Sequence, residues 1–213
     1  MHLPTRIRKG LKAFTLIELL TVIAIIGVLS GILIPTVSSA MSSAKKAKGR
    51  AQMRQYATGL LQYQSHYNFW PSIGTLGDGQ EIRLDNGDYS ENFIMAMTGR
   101  TYNGNDLSAT ERQYNPQAIA FMSFSDQEFY SDPYTGRLNY RQLADPYGNR
   151  RIRMQVEHDY PGVISLSTPI RQQSNRASQD YDQVRAKAVV FTLYDSAQAD
   201  SREFNYETLL SWE

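Results

Sequence analysis

From Phe14 to Ile34 the chain reads FTLIELLTVIAIIGVLSGILI, 21 residues with a single charge, Glu18. As a helix this run would be about 31 Å long, matching a hydrocarbon core of roughly 30 Å. A membrane-spanning helix is therefore predicted, with one residue out of character. A lone carboxylate in hydrocarbon is costly and persists where it finds a partner or serves a function. The 13 residues ahead of the run contain Arg6, Arg8, Lys9 and Lys12 and no acid. Such a basic leader places the N-terminus in the cytoplasm by the positive-inside bias. An ordinary secretory signal is the competing reading, with Ala40 and Ala44 offering small residues for cleavage. Glu18 speaks against it, because the apolar core of a signal gains nothing from a carboxylate.

The helical pattern outlives the apolar run. Met53, Tyr56, Leu60, Tyr63 and Tyr67 recur at spacings of three and four, with Arg54, Thr58, Gln62 and His66 to the side. One helix is thus expected from Phe14 to about Tyr67, bent or loosened near Pro35. Gly27 and Gly31 form a small-xxx-small pair, which either permits close helix approach or reflects the glycine frequency of membrane helices. Beyond Trp70 the chain breaks into short segments between turn residues. Strands are expected at Gln80 to Leu84, AIAFMSF (118–124), RIRMQVE (151–157) and AKAVVFTL (186–193). Ser90 is the candidate cap of a short helix that stops at Gly99, with Phe93, Ile94 and Met97 inward. The polar stretch 168–183 reads as an exposed loop. The predicted fold class is α+β: a long N-terminal helix, its first half transmembrane, on a small, mainly antiparallel β-sheet. The expected divisions are a leader at 1–13, a spanning half-helix at 14–35, an amphipathic half at 36–67 and a globular domain at 68–213.

Chemistry is sparse. The chain has no cysteine, which excludes disulfides, thiolate metal sites and thiol nucleophiles. His2, His66 and His158 have no metal-ligand spacing, and no Gly-x-Ser-x-Gly motif occurs. A membrane-anchored enzyme is therefore the weakest of the readings. With 22 basic and 21 acidic residues there is no bulk footprint for nucleic acid. Lys45, Lys46, Lys48, Arg50 and Arg54 form a local basic stretch, read as a solvated helix face or one lying near anionic headgroups.

The segment AFTLIELLTVIAIIGVLSGILIP closely resembles the N-terminus of type IV prepilins and type II secretion pseudopilins. In that family a membrane peptidase cuts before a Phe and methylates the new amine. The family also has Glu fifth and Pro twenty-second in the mature chain. Counting from Phe14, Glu18 is fifth and Pro35 twenty-second. The resemblance implies cleavage between Ala13 and Phe14, N-methylation of Phe14, an assembly role for Glu18 and a helix bend at Pro35. Ala13 stands where the family usually has Gly. The partner implied for Glu18 is the Phe14 amine of a neighbouring subunit, which would set helix register; an interfacial Glu snorkelling to the headgroups is the plainer alternative.

DPYGNRRIRM from Asp145, NPQAIAFMSF and Trp212 are similar to pseudopilin segments. The lack of cysteine also favours a secretion pseudopilin over a type IVa pilin, whose C-terminal loop is commonly closed by a disulfide. Major pseudopilins hold that loop with calcium, and here Asp195, Asp200 and Glu203 follow the last predicted strand as hard oxygen ligands; a solvated acidic loop is the alternative. No cofactor is required. The resemblance implies a structural, non-enzymatic subunit of a type II secretion pseudopilus, or alternatively a major or minor type IV pilin serving adhesion or DNA uptake. Its implied partners are the prepilin peptidase, copies of itself, minor pseudopilins, an inner-membrane assembly platform and the lipid bilayer, with no nucleic acid. The expected location is the inner membrane, the C-terminal domain periplasmic until assembled into a periplasmic or surface filament.

Overall fold

A computed structural model describes residues 15–158, 162–171, 180–192 and 209–211. Helix α1 runs from Leu16 to Tyr67, 52 residues, and the chain divides into two compact units at Ser43/Ala44. In the first unit fifteen large apolar side chains from Leu16 to Met41 lie on the surface, the least exposed at 49%. Soluble monomers rarely carry a contiguous apolar patch above a few hundred Å². Something other than water must therefore cover this half of the helix.

In the second unit the predicted stripe is the core. Met53, Tyr56, Leu60 and Tyr63 are fully buried and Tyr67 packs against them, while Arg54, Thr58, Gln62 and His66 are exposed. Full burial of each such side chain stabilises by roughly 1.5–3 kcal/mol, so this stripe is what fastens α1 to the domain. At Gly59 the helix admits close neighbours. A Cβ there would stand 2.9 Å from Met122 Sδ and 3.0 Å from Met97 Sδ.

Helix α2 spans Gly87–Thr98 and buries Phe93, Ile94 and Met97, as their spacing predicts. Its start is not at Ser90. Asn86 is the cap, its side chain accepting the Asp88 N–H, and Ser90 is buried within the helix, where its hydroxyl accepts the N–H of Leu143. The Asn-Gly turn ahead of the helix supplied the cap, which freed Ser90 for a tertiary bond. Gly99 does end the helix, at φ +66, and a Cβ there would meet the Ala118 carbonyl group at 2.4 Å.

The sheet strands are β1 Ile82–Arg83, β2 Phe129–Ser131, β3 Leu138–Leu143, β4 Ile152–Val156, β5 Ile164–Arg171, β6 Asp180–Val184, β7 Ala188–Thr192 and β8 Leu209–Leu210. They form a four-stranded sheet in the order β1-β4-β7-β8 and two hairpins, β2-β3 and β5-β6, with every pairing antiparallel. Ile152, Met154 and Val156 face the core beside α1. Strand β7 is buried on both faces: Ala188 and Val190 join that core, while Val189 and Phe191 pack with Ile164, Leu166, Val184 and Leu210. Successive strand residues point to opposite faces, so burial on both sides requires the unbroken apolar run seen in the sequence.

Two expected elements are corrected. Residues 118–124 form no strand: the N–H groups of Phe121 and Met122 donate to the Met97 carbonyl, and Phe121 packs on Tyr63 and Tyr67. Alternation here served packing against helices, with Ala118 at φ +53 breaking any ladder. The stretch 168–183 is not a plain loop, because β5 continues to Arg171 and β6 begins at Asp180, Ile170 pairing with Tyr181. A ladder is made by backbone groups, and polar side chains do not forbid one.

Buried polar groups tie α1 to the loops. Gln52 Nε2 donates to Tyr56 Oη (2.8 Å) and to the Ala144 carbonyl (2.9 Å), and Tyr56 Oη–H donates to Glu128 Oε2 (2.9 Å). Burial, followed by the nearby Glu128 carboxylate, raises the Tyr56 phenol well above its ordinary pKa. Asp145 Oδ1 accepts the N–H groups of Tyr147 and Asn149 at 2.9 Å each. Desolvation outweighs these bonds and pushes the Asp145 carboxyl up to about 6.

Candidate functional site: the N-terminus of the long helix

Of the residues singled out from the sequence, Glu18 and Pro35 fall in α1. Ala13, Phe14, Asp195, Asp200, Glu203 and Trp212 lie outside the described residues. The two residues that flank the segment 193–208, Thr192 and Leu209, are paired across β7 and β8.

Glu18 is bound to Thr15. The Thr15 N–H and hydroxyl both donate to Glu18 Oε2, at 2.9 and 2.7 Å, and the Glu18 N–H reaches Thr15 Oγ1 at 3.3 Å. This is a reciprocal capping box, with Thr15 at the cap and Glu18 three residues in. It satisfies two of the four donors that a helix start leaves without intrahelical partners, in a segment where water would not replace them. The cap uses Oε2 alone, and Oε1 makes no hydrogen bond among the described residues. Thr15 was not singled out from the sequence, although the signal was present in plain form: Thr-x-x-Glu directly ahead of an apolar run.

Two threonine hydroxyls, one within the apolar run and one just past it, are satisfied along the helix. Thr21 Oγ1–H donates to the carbonyls of Ile17 (2.8 Å) and Glu18 (3.0 Å), and Thr36 Oγ1–H to those of Ile32 (2.6 Å) and Leu33 (3.0 Å). Hydroxyls bonded one turn back add little cost in hydrocarbon. α1 is helical without interruption through Pro35, which has no N–H to offer the Gly31 carbonyl. Gly27 and Gly31 have nothing within 4 Å of where a Cβ would sit. The segment is thus a capped carboxylate at one end of an exposed apolar helix long enough, by length and composition, to cross a membrane.

In the second unit, two open depressions of about 470 and 500 Å³ share Tyr89. Glu81, Asp85, Asp88, Glu91 and Glu111 line them together with Arg83, and Asp85, Glu81 and Glu91 are ion-paired with Arg83, Arg153 and Arg141.

Fold and site together define an α+β protein with a long N-terminal helix whose first half is apolar, exposed and capped at its start. Residues 8–34 match the family described as the prokaryotic N-terminal methylation motif, the segment that contains Ala13, Phe14, Thr15 and Glu18. The match supports a type IV pilin-like protein that a prepilin peptidase processes. No curated protein and no solved structure matches the chain.

Proposed function

We propose that this protein is a structural subunit of a type II secretion pseudopilus. It is inserted in the inner membrane, cut between Ala13 and Phe14, methylated on the Phe14 amine and added to a filament through α1. The observation that carries the reading is the methylation motif at 8–34, joined to a helix that continues from the uncovered span into the core of the domain. The absence of cysteine and the Asp-Pro-Tyr-Gly-Asn turn at Asp145 support a pseudopilin. The motif itself is shared with type IV pilins, whose filament stands on the cell surface. Charge does not orient the helix by itself: the four basic residues of the leader face five, Lys45, Lys46, Lys48, Arg50 and Arg54, within about twenty residues of the other end. A cytoplasmic N-terminus then rests on the peptidase motif.

Intact-mass measurement of membrane-extracted protein tests the first step. The expected chain begins at Phe14 and carries one added methyl group. A chain beginning after Ala40 or Ala44 would identify a secreted protein instead. Fractionation of crosslinked polymer then assigns the filament, with periplasmic polymer that requires the secretion ATPase expected and surface-sheared polymer marking a pilus.

A further inference from the structure

The chain has two Asn-Gly pairs, Asn86-Gly87 and Asn103-Gly104. Asparagine followed by glycine is the pair most prone to cyclise. A residue without a Cβ leaves its backbone nitrogen open to the preceding side chain and lets the linkage rotate. The two pairs share that chemistry and differ in how the fold holds them. We infer that Asn103 is a site of spontaneous deamidation, converted in the folded protein to aspartate and isoaspartate, while the fold protects Asn86.

Asn86 is held at both of its oxygens. The side-chain oxygen accepts the Asp88 N–H at 3.2 Å, and the main-chain carbonyl accepts the Ser90 N–H at 3.1 Å. The residue caps α2 with ψ at 117, and Gly87 is the first helical residue. Ring closure would break the side-chain bond and rotate the linkage on which α2 begins. That helix is anchored by buried Phe93, Ile94 and Met97, so the rotation disturbs the core.

Asn103 carries no such load. It is exposed in a turn, 101–104, closed by the Gly104 N–H donating to the Thr101 carbonyl at 2.8 Å. Its side chain makes no hydrogen bond among the described residues, and nothing lies within 4 Å of where a Cβ on Gly104 would sit. The bonds that pair Thr101 with Asn105, at 3.0 and 3.1 Å, close the loop below its tip. Rotation at the tip therefore has one exposed turn bond to open, a local opening of low cost.

In the reaction the Gly104 nitrogen attacks Asn103 Cγ and gives up its proton. The new N–C bond closes a succinimide, the Cγ–Nδ2 bond breaks, and ammonia leaves. Water then opens the ring: attack at the side-chain carbonyl leaves aspartate, and attack at the main-chain carbonyl leaves isoaspartate. Either product sets a carboxylate near Asp106 and Arg100. Arg100 Nη1 donates to the Gly104 carbonyl at 3.0 Å and lies 3.7 Å from Asp106 Oδ1. Isoaspartate also adds one carbon to the main chain between residues 103 and 104, lengthening a turn whose closing bonds fit the shorter path.

Full-length protein in detergent is kept in warm, mildly alkaline buffer, with a parallel sample in denaturant, and both are digested with trypsin at intervals. Cleavage after Arg83, Arg100 and Arg112 places Asn86 and Asn103 in separate peptides, 84–100 and 101–112. Fragmentation mass spectrometry then measures aspartate and isoaspartate at each site. Asn103 is expected to convert at least about fivefold faster than Asn86 in the folded protein, the weight of one helix cap in an equilibrium, with the two rates converging in denaturant. Equal rates in the folded protein would overturn the inference, as would conversion of Asn103 only after unfolding. A preference for Asn103 that persists unchanged in denaturant would also overturn it, since flanking sequence and not the fold would then select the site.

Discussion

Glu18 caps its own helix through Oε2, the proposed function gives it a second duty, presenting a negative charge to a neighbour, and three substitutions divide the two. Glu18→Leu removes both. Glu18→Gln keeps the cap, because Gln serves the third position of a capping box as Glu does, but removes the charge. Thr15→Val removes the cap and keeps the charge. Loss of a cap costs about 1 kcal/mol, roughly fivefold in an equilibrium. Breaking a buried pair by removing one partner costs about 3–5 kcal/mol, or a factor of roughly 150 to 5,000 for each subunit added. The two are distinguishable in a polymer built by repeated addition. Each variant is expressed in the native host at matched membrane level and matched cleavage, and the crosslinked polymer fraction is compared. Glu18→Leu and Glu18→Gln are expected to abolish polymer, while Thr15→Val reduces it modestly. Normal polymer from Glu18→Gln would refute the charge pairing and leave Glu18 as a helix cap.

In the domain, the Asp145 carboxyl is raised from 3.8 to about 6. Its contribution to stability is therefore full below pH 4 and lost as pH rises through 6, on the order of 3 kcal/mol. Asp145→Asn should melt above the parent at pH 7.5 and level with it at pH 4, and parallel melting curves across that range would contradict the assignment. Gly99→Ala should cost about 2–4 kcal/mol through its positive φ and the contact with Ala118, read as a lowered denaturation midpoint of the detergent-solubilised chain with an unchanged slope. If Asp195, Asp200 and Glu203 hold calcium, millimolar calcium raises the melting temperature and a chelator lowers it; indifference to both identifies a solvated loop.

The parts of the fold that were legible in the sequence are those where one period had one cause. Met53 to Tyr67 read as a helix face because nothing but a helix buries residues three and four apart. Ile152, Met154 and Val156 read as a strand because their neighbours face another environment. Period-two alternation failed at 118–124, where Phe121, Met122 and Phe124 pack against helices from an irregular backbone, an outcome local pattern does not separate from a strand. Polar composition failed at 168–183 because pairing of Ile170 with Tyr181 is decided by backbone bonds between segments. At the candidate site the spacing from Phe14 to Glu18 was plain. The bond to Thr15 is a separate signal, since the distance of Glu18 from a cleavage point says nothing of its place three residues into a helix start.

Gly59 gives the domain a chemical exposure of its own. Its missing Cβ lets two thioethers, Met97 and Met122, crowd against α1, the first fully buried and the second half-buried. With no cysteine, methionine is the chain's oxidisable sulfur. Conversion of Met122 to its sulfoxide would set a polar oxygen into the contact that lets helix and loop touch. The packing that fits α1 most closely to the 118–124 segment is therefore also a point at which peroxide could loosen a finished subunit, and its repair would need a methionine sulfoxide reductase in whichever compartment the domain occupies.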